Sequence, residues 1–260
     1  MDKAEFIINI SIAEWKRLDG FFHHEFRPVP PVLWFGNLLS PKPKVLVISA
    51  NPSRPDLPKD NPRIPSSINW NLKKVNYNQL IKDYNTYFSH PNCATNWFGS
   101  NPNIPRSSNQ QGRIEDFLNG LDSSFYEEKY LEKKYQAIHI DLLPFSTEHS
   151  FIYIVDSLMK INGLTAWVDT HIREMVELIQ PKWIIINGNT NFRYFNLCVN
   201  LEAQPYSIYE YNGTTIWKAA QRPNIPTIIG LSTNMGSHCR KKWNELQKLG
   251  EYVNKNIITD

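Results

Sequence analysis

Cysteine is scarce in this chain: Cys93, Cys198 and Cys239 are the only three in 260 residues. An odd number at such wide spacing leaves neither a disulfide framework nor a thiolate quartet for zinc or an iron–sulfur cluster. Thiols in a reducing compartment follow, and the cytoplasm is the expected location. The sequon Asn212-Gly213-Thr214 then reads as a turn. Long apolar runs are missing as well. No window approaches the roughly 18 consecutive apolar residues that span a bilayer, so no membrane partner is expected. Residues 1–20 mix charged and apolar side chains at helical spacing and do not read as a secretory signal. His23, His24, His90, His139, His149 and His171 show no metal-ligand spacing, and structural or surface roles are expected for them. Glycine, at 11 residues, is outnumbered by 18 prolines, and no glycine-rich phosphate loop is present. That weakens the case for an unrelated nucleotide enzyme. Charge of one sign is also lacking: a net +3 permits a local nucleic-acid patch without demanding one.

What the chain does have is apolar and aromatic mass. Eight Trp, twelve Tyr and thirteen Phe within a 41% hydrophobic composition argue for a packed core rather than a disordered chain. There is no internal repeat or linker, so residues 1–260 are read as a single α/β domain. Residues 1–42 are read as an N-terminal helical extension packed on it, through the stripe Ile8, Ile12, Trp15 and Leu18. Four short apolar runs read as buried strands: Val45–Ala50, Ala137–Asp141, Trp183–Asn187 and Thr227–Leu231. Helices are expected over Tyr77–Phe88, around Val168–Ile179, over Thr190–Leu201, and in a closing segment carrying Cys239, Trp243, Leu246 and Val253. Residues 91–111 read as a long irregular loop. Asn212-Gly213 between two apolar runs is a hairpin signal. Strands alternating with helices predict a central, mostly parallel sheet with helices on both faces. In such sheets ligands bind beyond the carboxyl ends of the strands.

Four strand ends therefore carry the chemistry: Asn51-Pro52-Ser53, Asp141-Leu142-Leu143-Pro144, Asn187-Gly188-Asn189, and Ser232 through Ser237. Their order and spacing over residues 43–245 resemble the uracil-DNA glycosylase superfamily. Val45–Ser53 looks like its water-activating motif in the Asn-Pro form. Tyr87-Phe88-Ser89 is similar to the segment whose ring stacks on the extruded base. Ile138–Phe145 resembles the base-reading strand, with Asp141 where uracil readers carry Asn. Trp183–Gly188 resembles the apolar strand that ends in Gly. Ile228–His238 resembles the final loop, with Asn234 at its His or Asn position. The resemblance implies a uracil-DNA glycosylase-like fold and a nucleotide flipped into a pocket for hydrolysis of its N-glycosidic bond. It implies single- or double-stranded DNA as partner, and no metal or organic cofactor. A monomer is the favoured state. Three departures point away from standard uracil excision: the first motif lacks Asp, Ser53 replaces a bulky Tyr, and the last loop reads Asn-Met-Gly-Ser.

On this reading Asn51 and Asn234 are the catalytic pair. Asn51 holds water through its amide oxygen, and Asn234 donates to the leaving base. A turn at Asn51 and a helix N-cap at Asn234 are the plain alternatives. Pro52, Ser53, Phe88 and Asp141 form the base-binding set, although a phenylalanine such as Phe88 is more often core than a stacking platform. An ionised Asp141 accepts from an exocyclic amine such as cytosine N4 and opposes uracil O4, which predicts preference for a cytosine-type or modified base. An ion pair, or a cap near Ser146, is its alternative role. Gly236, Ser237, His238, Arg240 and Lys241 form the DNA-binding set, at a basic helix start suited to phosphate. An ordinary solvated basic face is the other reading. A non-catalytic protein of the same fold, binding nucleic acid or a protein partner, is the rival function.

Overall fold

The computed structural model describes residues 2–21, 29–50, 74–87, 110–147, 151–199, 206–219, 226–235 and 239–258. Its strands form one seven-stranded sheet. In chain order they are β1 (Lys44–Ser49), β2 (Ser123–Ser124), β3 (Tyr135–Asp141), β4 (Trp183–Asn187), β5 (Tyr206–Tyr211), β6 (Thr214–Ala219) and β7 (Thr227–Leu231). The order across the sheet is β2-β3-β1-β4-β7-β6-β5. The first five strands in that order are parallel, and β6 and β5 run antiparallel at one edge. The mostly parallel α/β sheet expected from the sequence is therefore present.

The reason lies in the apolar runs. Every residue of β3 and β4 is buried, as is β1 from Val45 onward. A strand that is apolar on both sides has to be covered on both sides, which is the situation of a parallel sheet under helices. The helices are α1 (Lys3–Asp19), α2 (Tyr77–Thr86), α3 (Gln110–Gly120), α4 (Glu127–Tyr130), α5 (Phe151–Leu158), α6 (Leu164–Ile179), α7 (Asn189–Cys198) and α8 (Trp243–Asn256). The chain moves from β1 to β3 in one direction, then over to β4 and β7 in the other. Right-handed crossovers of opposite direction put their helices on opposite faces. The helix contacts divide accordingly, with α1 and α7 on α6, and α3 on α8. Ile8, Ile12, Trp15 and Leu18 of α1 belong to the same buried cluster as the sheet.

The hairpin at Asn212-Gly213 forms with φ of 45° and 71°, the pair of positive values that a tight two-residue turn requires. Several boundaries differ from the sequence reading. Gln110 and Gln111 open helix α3 rather than closing a loop; the rest of the 91–111 segment lies outside the described residues. Helix α7 stops at Cys198 instead of Leu201 because Val199 is extended. The closing helix begins at Trp243, so Cys239 precedes it, and Trp243 is exposed rather than part of the core stripe.

Helices α3 and α8 meet backbone to backbone. A Cβ on Gly250 would stand 2.1 Å from the Phe117 carbonyl oxygen, and one on Gly120 would stand 2.1 Å from that of Gln247. Only glycine permits that approach. Gly250→Ala should therefore destabilise the fold by about 1–3 kcal/mol through overpacking, measured by denaturant unfolding. Gly20→Ala, where the nearest atom is 3.4 Å away, is the control and should change stability by less than about 1 kcal/mol.

Candidate functional site

The direction of the chain changes at β1, with β3 on one flank and β4 on the other. That is the switch point at which open α/β sheets bind ligands beyond their carboxyl ends. Register brings three polar residues together there. Ser49 pairs with Asp141, and Ile48 pairs with Ile186, so the next position sets Ser49 beside Asn187. In-register neighbours in parallel strands project to the same face. Asp141, Ser49 and Asn187 thus form one polar row across three strand ends, at 2%, 1% and 0% exposure. Burying three polar side chains in a row is expensive unless they are satisfied; Ser49 and Asp141 have partners, and Asn187 Oδ1 accepts from the Met235 N–H.

Next to the row lies His139, two residues before Asp141 and on the same face of β3. Its Nε2 is 3.6 Å from Asp141 Oδ1. Its ring stacks on Phe35 at 5.6 Å, and Phe35 packs on Tyr87 at 4.0 Å. Phe35 also forms a backbone bridge to His139, so the segment before β1 is laid along β3 beyond the short strand β2. Burial pushes the His139 imidazole down to about 3, so at neutral pH the ring carries no charge. The ion-pair role considered for Asp141 is therefore not supplied by His139 near pH 7. Asp141 closes β3.

The loop after β7 is held at several points. Met235 N–H donates to Asn187 Oδ1 at 2.9 Å. Thr215 N–H donates to Ser232 Oγ at 2.8 Å, and Ser232 N–H donates to the Thr215 carbonyl at 2.9 Å. The Thr214 and Thr233 hydroxyls bond each other at 2.6 Å. Gly188, at φ 95°, lets this loop come close: a Cβ there would be 3.0 Å from the Asn234 Cβ. The result is an exposed Asn234 carried on a firmly tied loop directly above the end of β4.

Of the residues read as a site, Asp141 and Asn234 lie at the same carboxyl edge of the sheet, at β3 and beyond β7. Asp141 is buried, and Asn234 is exposed. Asn234 does not cap the last helix. That position belongs to Lys242, whose N–H donates to Glu245 Oε2 at 2.6 Å. Arg240 and Lys241 are placed before the helix, not in its first turn, so the helix start does not account for a phosphate site at them. Arg240 is exposed, while Lys241 Nζ donates to the Asn212 carbonyl of the hairpin turn at 2.7 Å. Asn51, Pro52, Ser53, Phe88, Gly236, Ser237 and His238 lie outside the described residues.

The sequence reading missed Ser49, and it noted Asn187 only as a strand end. The usable signal was register: two polar residues, each closing an apolar run, become neighbours once those runs pair in parallel. Among the described residues no group of three or more His, Cys, Asp and Glu side chains could hold a metal ion, and no helix is long and apolar enough to cross a membrane. No protein-family model, curated protein or solved structure matches the chain.

His171 shares the condition of His139: it is fully buried, stacked on Trp167 at 5.0 Å, and pushed down to about 3 by burial. The unfolded chain takes up a proton at each of these histidines near pH 6.5, while the folded one does not until about pH 3. Stability contributed by the neutral rings is therefore present above about pH 6.5 and falls as pH drops below it. The loss is about 2 kcal/mol per histidine between about pH 7 and pH 5. Unfolding free energies measured across that range should fall accordingly, and His171→Phe should remove one share of the slope. A stability that does not change with pH over that range would contradict the buried neutral rings.

Proposed function

We propose that the chain is a DNA-base glycosylase-like protein of uracil-DNA glycosylase type, which flips a nucleotide into a pocket and hydrolyses its N-glycosidic bond. The observation that carries this reading is the convergence of the motif-bearing strands. The strands β3, β1, β4 and β7 are consecutive and parallel, so all four motifs issue from one edge of one sheet. A base-excising site needs a group holding water, a donor to the departing base, and a pocket for the flipped base. Asn51 is assigned the water, Asn234 the departing base, and Asp141 the reading of the base, with Phe88, Pro52 and Ser53 beside it. The tied loop that presents an exposed Asn234 supports its role as donor. Arg240 and Lys241, with Gly236, Ser237 and His238, are assigned the DNA backbone. No cofactor belongs to this mechanism. A cytoplasmic location goes with the same proposal, supported by the free thiols of Cys198 and Cys239.

A second reading, binding of nucleic acid or a protein partner without cleavage, is favoured by one observation. Asp141 is only 2% exposed, so a flipped base does not have open access to it. Incubation with single-stranded and duplex oligonucleotides carrying uracil, mismatches or modified cytosines separates the two. The glycosylase reading expects alkali-labile abasic sites, reduced about 100- to 1,000-fold by Asn234→Ala. Oligonucleotide binding without abasic sites would leave the second reading, and absence of both would reject the DNA assignment.

The basic residues give an independent measurement. Arg240→Ala combined with Lys241→Ala should weaken oligonucleotide binding uniformly across sequences. It should also lower the slope of log affinity against log salt by about 2, since each side chain would neutralise one phosphate. An unchanged slope would return these residues to ordinary solvated surface.

A further inference from the structure

Tryptophan carries a large apolar surface that a fold ordinarily covers. Trp243, the first residue of α8, is 57% exposed, whereas Trp15, Trp34, Trp167, Trp183 and Trp217 are buried or half-buried. Helical phase sets Trp243 on the stripe of Leu246 and Val253, yet those two are buried and its ring stands outside the core. The position is firm. Leu246, Leu249 and Val253 anchor α8 in the core, and the Lys242 N–H donates to Glu245 Oε2 at 2.6 Å to fix its first turn.

Three cations lead directly into this residue: Arg240, Lys241 and Lys242. The acid of the same run is Glu245, whose Oε2 is engaged by the Lys242 N–H. Lys241 Nζ donates to a backbone carbonyl, that of Asn212, rather than to a carboxylate, so the bond does not cancel its charge. That bond also locates the run. β6 is antiparallel to β7, so the hairpin turn before β6 stands at the carboxyl end of β7. The loop carrying Asn234 is bonded to the same place, through Thr233 to Thr214 and Ser232 to Thr215. An exposed indole and three cations thus share the sheet edge of the candidate site.

An exposed aromatic ring beside a run of positive charge matches a polymer that alternates planar rings with phosphates. Bases of any identity stack on such a ring while the cations follow the backbone. In a duplex each base is already stacked on its neighbours, and opening that stack costs energy. An unpaired base offers its face freely. A single ring with Asn244 and Glu245 exposed beside it does not form the apolar face that lies in a bilayer.

We propose that Trp243 is a stacking platform for an unpaired base near the target nucleotide, and that it gives the protein a preference for single-stranded over duplex DNA. This rests on the DNA-base reading above and names the form of its substrate.

The test titrates wild type, Trp243→Ala and Trp243→Phe with a single-stranded oligonucleotide, with its duplex, and with a strand of equal length made of abasic sites. Trp243 is exposed, so neither substitution disturbs the core. The wild type should bind the single strand more tightly than the duplex. Trp243→Ala should weaken single-strand binding about 5- to 150-fold, the range for loss of one stacked base, and Trp243→Phe should recover most of it. Duplex and abasic strand should bind all three proteins alike. The slope of log affinity against log salt should be unchanged in Trp243→Ala, because no phosphate contact is lost. Tighter wild-type binding of duplex, no loss of single-strand binding in Trp243→Ala, or equal loss on single strand and duplex would overturn the stacking role while leaving DNA binding standing. Anionic lipid vesicles that bind the wild type and not Trp243→Ala, with oligonucleotide binding unaffected, would overturn it in favour of a membrane contact. Failure of the wild type to bind any oligonucleotide would overturn this inference together with the function on which it rests.

Discussion

The arrangement depends on the in-register pairing of β1 with β3 and β4. β1 is buried from Val45 to Ser49, so its apolar side chains fix how far it can slide against its neighbours. A slip of one residue would turn each buried side chain to the opposite face. The same register that buries Val47 between His139 and Ile185 also aligns Ser49 with Asp141. The polar row is therefore a by-product of core packing: the apolar part of each strand determines where its last polar residue stands. The row stands at the point where the chain reverses direction, the place at which open α/β sheets bind ligands.

Much of this was legible in the sequence, and for a physical reason. Short apolar runs punctuated by Asn, Pro and Gly can be satisfied only as doubly covered strands, and those four runs are the four central parallel strands. The hairpin was legible because Asn212 and Gly213 tolerate positive φ. What escaped notice was set by tertiary contact. The two-residue strand β2 has no apolar pattern; it is positioned through pairing with β3, and Glu115 accepts from Ser124 Oγ and Phe125 N–H to hold it. The closing helix was placed too early because Cys239 lies in helical phase with Trp243. Phase does not reveal where the backbone begins to coil, and Lys242 with Glu245 marks that start.

The site was legible in part. Asp141 could be singled out because a carboxylate at the end of an apolar strand is conspicuous in any sequence. Asn187 could not, since an amide at a strand end is commonplace. Its significance comes from a bond made to Met235, 48 positions away, which holds the loop after β7 against the end of β4. His139 was read as structural, and its uncharged, stacked ring agrees with that description. Its nearness to Asp141 follows from the alternation of side chains along β3, which sets residues two apart on one face.

The packing of α3 on α8 has a kinetic side. Gly120 and Gly250 press two backbones together, yet these helices are separated by most of the sheet in chain order. Neither helix can settle on that face until the strands between them have paired and the turns have closed, and contacts so distant in sequence form slowly. During that interval the apolar face of the sheet beneath α3 lacks its second helix. Interception by another apolar surface, such as a chaperone or a second nascent chain, would compete with folding at that face before any other.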